Sequence, residues 1–101
     1  MASFIKVAKL ADLPEGTGKL VEAGGKQIAL FNAGGKFFAI DNACKHRGGP
    51  LAEGELDGTT ITCPWHGWEY DIATGANLDD ASVKLGCYAV KADGEDILVE
   101  A

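Results

Sequence analysis

The chain holds three cysteines and two histidines, and four of these five fall into two pairs: Cys44 with His46 in "ACKHRGGPL", and Cys63 with His66 in "TCPWHGWEYD". Two short stretches that each offer a thiolate and an imidazole make a donor set for a soft metal ion or a metal cluster. Zinc accepts two cysteines and two histidines in a tetrahedral site, but zinc fingers usually keep like ligands together, with a Cys pair on one loop and a His pair on a helix. Here each stretch is mixed, so zinc and an iron-containing cluster both stand as readings. A Cys–His nucleophile is disfavoured, because no Asn or Asp is singled out to orient such a pair. Cys87, in "LGCYAV", lies outside the pattern and reads as a small buried hydrophobe.

The 101 residues carry a formal charge of −6 and 47% hydrophobic side chains. One globular domain over residues 1–101 is expected, burying about two-thirds of its unfolded surface. The negative charge argues against nucleic acid or anionic lipid as a partner and fits docking onto a basic protein patch. No run approaches the roughly 20 apolar residues of a membrane span, and "MASFIKVAKL" lacks the roughly 7–15-residue apolar core of a secretory signal. No membrane association and a cytoplasmic location are therefore expected. In a reducing cytosol the cysteines read as ligands plus one spare, and not as a disulfide.

The pairs must be positioned by strands. Turn signals recur along the chain, and the short segments between them are rich in Val, Ile, Phe and Thr, which is the pattern of an all-β domain. "KLVEA", "KQIALFN" and "KFFAIDN" are separated by two copies of "AGGK" and predict a meander, since Gly-Gly suits tight hairpin turns. "TTITC" predicts a strand delivering Cys63, and "EYDIATG" one leaving His66. "KLGCYAVKA" and "DILVEA", joined at Asp93-Gly94, predict a closing hairpin. Both pairs then lie on loops at strand ends. No long stretch has helical periodicity.

With ligands, order and separation in view, "CKHRGG" and "CPWHGWEYD" resemble the two cluster-binding loops of Rieske-type [2Fe-2S] ferredoxins, over essentially the whole domain length. The resemblance implies stacked antiparallel sheets with both loops at one tip, the cluster-binding part spanning about residues 42–76. It implies one cluster per chain, Cys44 and Cys63 ligating one iron and His46 and His66 the other through Nδ1. Glycines 48, 49 and 67 would let backbone approach the cluster and donate N–H groups to its sulfides. Arg47, beside Lys45, flanks a ligand and could guide docking. Trp65 reads as a shield or a partner contact, and Trp68 as core or loop packing.

The resemblance also bears on redox properties. Two ferric ions, two sulfides, two thiolates and two neutral imidazoles sum to zero charge, so adding an electron costs less than in an all-cysteine cluster, and potentials fall at about −150 to +300 mV. Reduction makes the histidines more basic, so electron and proton uptake should couple at high pH. High-potential respiratory relatives carry an extra cysteine in each loop and a serine after the second histidine; Gly49, Trp65 and Trp68 stand at those positions here. Tyr70 matches a hydroxyl position that donates to a cysteine sulfur, which raises the potential, whereas Asp79 and Asp80 would oppose an added electron. "NLDDASV", residues 77–83, replaces the proline-containing loop of many relatives.

Such a chain is expected to be an electron-transfer protein and not an enzyme: a soluble one-electron carrier from a flavin-dependent ferredoxin reductase to a terminal oxygenase. Similar motifs occur in the large subunits of aromatic-ring oxygenases, but those need a second, mononuclear iron held by two histidines and a carboxylate, and no histidines remain here. A respiratory-complex subunit is disfavoured by the missing anchor and disulfide. The alternatives are a small Rieske subunit of a nitrite reductase-type complex and a structural zinc domain.

Overall fold

The computed structural model describes residues 4–44, 48–65 and 67–100. The chain begins with β1 (Phe4–Lys9) and continues into the expected meander, β2 (Thr17–Ala23), β3 (Lys26–Ala33) and β4 (Lys36–Asp41). Ala23 pairs with Lys26 and Ala33 with Lys36 across the two AGGK turns. A short hairpin pair follows as β5 (Glu55–Asp57), β6 (Thr60–Thr62) and β7 (Glu69–Asp71), and the chain closes through β8 (Cys87–Tyr88), β9 (Val90–Asp93) and β10 (Asp96–Glu100). Among the described residues the antiparallel sheets run β1-β10-β9, β2-β3-β4-β8 and β5-β6-β7. This is the all-β, stacked-sheet architecture that the turn spacing and the resemblance predict.

The stacking follows from β3. Ile28, Ala29, Leu30 and Phe31 are all fully buried, and an apolar run without alternation marks a strand covered on both faces. Ala29 and Phe31 join a core with Ile40, Leu51, Ile61, Tyr70 and both Cys44 and Cys63. Ile28 and Leu30 join a second core with Leu13, Val21, Ile97 and Val99. The four-stranded sheet is thus a middle layer between the sheet of the closing hairpin and the small sheet that carries Cys63. Each aliphatic side chain so buried contributes roughly 1.5–3 kcal/mol, which is what holds the cysteine-bearing loops to the rest.

Two expectations need correction. "KLGCYAVKA" is not one arm of a hairpin: Cys87 and Tyr88 pair with Ile40 and Ala39 of β4, and only from Val90 does the chain pair with β10. The switch is imposed by Asp41, whose N–H donates to the Gly86 carbonyl at 2.9 Å while its carboxylate accepts the Gly86 N–H at 2.8 Å. Cys87 is exposed, not buried; Leu85, 2% exposed, fills the core from this segment instead. The Cys87 thiol donates to the Ala73 carbonyl at 3.5 Å, and partial burial pushes its pKa up against the opposing pull of Lys84. The strands β1 and β5 were not foreseen; β1 pairs along β10 with an irregularity between Lys6 and Ala8. Among the described residues no helix is long and apolar enough to cross a membrane.

Candidate metal centre

The two Cys–His stretches fold into loops of the same length and closure. In the first, an antiparallel bridge between Ala43 and Pro50 spans residues 44–49. In the second, the pairing of Thr62 with Glu69 at the ends of β6 and β7 spans residues 63–68. Each loop has cysteine first. The Cys44 N–H donates to the Gly49 carbonyl at 3.0 Å and the Cys63 N–H to the Trp68 carbonyl at 2.7 Å; the Gly48 N–H returns to the Cys44 carbonyl at 2.8 Å and the Gly67 N–H to the Cys63 carbonyl at 3.1 Å.

This repeated closure explains the glycines. Gly48 and Gly67, each four residues after its cysteine, have φ of 72° and 75°, a left-handed conformation that costs other residues roughly 1–2 kcal/mol. Their N–H groups close the loops on themselves by donating to the carbonyls of the two cysteines. Gly49 has a different reason. A Cβ there would stand 2.6 Å from Cys63 Sγ and 3.3 Å from the Trp65 ring, so the first loop lies directly against the thiol of the second.

The thiols sit at the bottom of this arrangement. Cys44 and Cys63 are each 3% exposed and belong to the same core, and both are free of disulfides. The Tyr70 hydroxyl, delivered from the fully buried face of β7, is 3.4 Å from Cys44 Sγ. The hydroxyl thus lies within hydrogen-bond reach of a cysteine sulfur, the position that the resemblance assigns to Tyr70. Trp65 is 57% exposed beside Gly49, while Trp68 is half-buried against the core. Lys45, His46, Arg47 and His66 lie outside the described residues.

Side chains that the sequence did not single out anchor the loops. Asn42, buried just ahead of Cys44, donates its N–H to the Gln27 carbonyl at 3.2 Å and accepts the Leu51 N–H on its own carbonyl at 2.8 Å. Its Oδ1 accepts the Ala52 N–H at 2.9 Å. Asn77 does the equivalent for the "NLDDASV" segment: its Oδ1 accepts the N–H groups of Asp79 and Asp80 at 2.8 and 3.0 Å, and its N–H donates to the Val83 carbonyl at 2.8 Å. Trp68, Asn77, Asp79, Asp80 and Val83 line a cavity of about 260 Å³, which places both aspartates on the Trp68 side of the second loop. The Asp80 carboxyl is held below its usual range by bonds from the Ser82 hydroxyl and N–H. Both asparagines are buried and satisfy their side-chain oxygens locally, which nothing in the sequence around them signals.

Two thiols that are buried, unpaired and abutted by a glycine backbone fit a soft metal group better than a disulfide or a bare core. The comparisons with known proteins agree. The family model of the Rieske [2Fe-2S] domain matches residues 3–89. The ferredoxin component of the naphthalene 1,2-dioxygenase/salicylate 5-hydroxylase systems of Ralstonia sp is 34% identical over 97% of this chain and 95% of its own length. The ferredoxin of carbazole 1,9a-dioxygenase from Nocardioides aromaticivorans IC177 superposes with a TM-score of 0.88 at 30% identity, covering 96% of each chain. A chain from a complex of reduced oxygenase and oxidized ferredoxin in carbazole 1,9a-dioxygenase gives a TM-score of 0.87 at 31% identity, over 96% of this chain and 92% of that one. The protein belongs to the Rieske [2Fe-2S] domain family and is an electron carrier built around a Rieske [2Fe-2S] cluster.

Proposed function

We propose that Cys44 and Cys63 hold one iron of the cluster and His46 and His66 the other, and that the chain, as a single cytoplasmic domain, passes electrons from a flavin-dependent ferredoxin reductase to the terminal oxygenase of an aromatic-ring-hydroxylating system. The observation that carries the ligand set is the matched pair of six-residue loops with a buried cysteine first in each. The partner assignment is supported by the relatives, which are ferredoxin components of dioxygenase systems.

When bound, the cluster accepts and releases one electron without rearranging bonds. The residues around it set the terms. Tyr70 presents its hydroxyl to Cys44 Sγ inside a dry core, favouring negative charge on that sulfur. Leu51, Ile61 and Leu85 are 2% exposed or less and keep water from the cysteine side. Trp65, exposed at the second loop, offers apolar area to a docking partner, and aromatic anchors of this kind dominate interface energies.

The test is a reconstituted chain of transfer. Pre-reduced by the candidate reductase, the protein should be reoxidised on mixing with an oxidised ring-hydroxylating oxygenase, and Trp65→Ala should slow this step while leaving the visible spectrum intact. Co-purification with one large nitrite-reducing subunit, and no transfer to any oxygenase, would replace this reading with the fixed-subunit alternative.

A further inference from the structure

Asp41 is the last residue of β4, three positions before Cys44. Its carboxylate is fixed on both oxygens: Oδ2 accepts the Gly86 N–H at 2.8 Å, and Oδ1 accepts the Tyr88 hydroxyl. Gly86 is glycine for this contact, since a Cβ there would stand 2.8 Å from Oδ2. The backbone adds a return bond from the Asp41 N–H to the Gly86 carbonyl at 2.9 Å. A carboxylate held this way cannot swing out to bulk water, and its charge stays where the strand places it. That place adjoins the cysteine end of the centre, because Asp41 and Cys44 line one cavity of about 480 Å³ together with Lys26, Gln27, Ala43 and Leu85. Among the described residues the only cation lining this cavity is Lys26, which is exposed, with Nζ 5.3 Å from the Tyr88 ring centroid.

We propose that Asp41 is a built-in electrostatic brake: a clamped negative charge beside Cys44 that lowers the midpoint potential, partly offset by Lys26 across the same cavity. The inference rests on Cys44 being a cluster ligand. A charge beside the centre acts on an added electron through a medium of lower effective dielectric than bulk water, and the two donors keep the carboxylate where β4 places it. The same clamp secures the strand that enters the first loop, so charge and position must be separated by choice of variant.

The experiment is redox titration of the cluster-loaded protein with three substitutions, each first checked for the visible and EPR signature of the wild type. Asp41→Asn should shift the midpoint upward, and Lys26→Gln should shift it downward. Tyr88→Phe, which loosens the clamp but keeps the charge, should not reproduce the Asp41→Asn rise. An Asp41→Asn protein with an intact spectrum and an unchanged midpoint overturns the proposal, as does a Tyr88→Phe rise equal to that of Asp41→Asn. If Asp41→Asn does not fold, Lys26→Gln decides, and the absence of a downward shift overturns the proposal. A wild-type protein without any Rieske signature would instead refute the ligand assignment, so the two failures are distinct.

Discussion

The hydroxyl of Tyr70 and the sulfur of Cys44 meet 3.4 Å apart in a part of the core where Tyr70 is fully buried and Cys44 is 3% exposed. Tyr70 is the middle residue of β7 in the small sheet, and Cys44 lies in the loop three positions past the end of β4. Their contact is where the packing of the fold becomes a property of the centre.

A hydrogen bond to the ligand sulfur stabilises the reduced, more negative state. A net worth of roughly 0.5–1.5 kcal/mol for such a bond corresponds to a fall of some tens of millivolts for a one-electron couple when it is removed, since tenfold is about 59 mV. Tyr70→Phe is therefore expected to lower the midpoint by that amount with the ring still filling its site. With no serine beyond His66 and no bracing disulfide, the wild type should itself lie in the lower half of the Rieske range. A wild-type value above about +200 mV, or a Tyr70→Phe value equal to it, would show that these neighbours do not set the potential.

Gly48 and Gly49 are adjacent but should fail differently. Alanine at 48 meets no atom within 4 Å and pays only for the left-handed backbone, roughly 1–2 kcal/mol, seen as a lower unfolding midpoint with normal iron content. Alanine at 49 would drive its Cβ to 2.6 Å from Cys63 Sγ, and iron per chain should drop. Equal iron content in the two variants would break the argument that Gly49 makes room at the thiol.

Tyr88 provides a pH test. Desolvation, with the Asp41 carboxylate adding to it, pushes the phenol up to about 12, above the roughly 10 of an unfolded tyrosine. The folded state binds this proton more tightly, so its contribution to stability is full below pH about 10 and is lost as pH rises toward about 12. Denaturant titrations across that window should show a steeper loss in the wild type than in Tyr88→Phe. Parallel curves would mean that the clamp does not couple to the phenol's proton.

Much of the site was legible because its chemistry demands rare residues: "CKHRGG" and "CPWHGW" put cysteine first and glycine fifth in each string, and the structure closes both loops on that frame. The run "IALF" within β3 was legible as a strand, but its burial on both faces needed the two flanking sheets to be seen. What escaped was set by tertiary contact. β5 has three residues, too few for a period. The break in "KLGCYAVKA" depends on Asp41, some 45 positions from Gly86, and the same break turns Cys87 outward where local hydrophobicity suggested burial. Asn42 and Asn77 look like ordinary loop residues until their amides are seen to hold the segments beside the cysteines.

Everything proposed for this protein follows from Cys44, His46, Cys63 and His66 together holding a cluster that takes up one electron. Iron analysis and EPR on protein purified without oxygen and reduced with dithionite test it most directly. Two irons per chain and a Rieske-type signal of one spin per chain are expected, with signal and iron both lost in Cys44→Ser, Cys63→Ser, His46→Ala and His66→Ala. A colourless, zinc-loaded or iron-free protein with no signal, or one whose signal survives these substitutions, would contradict it.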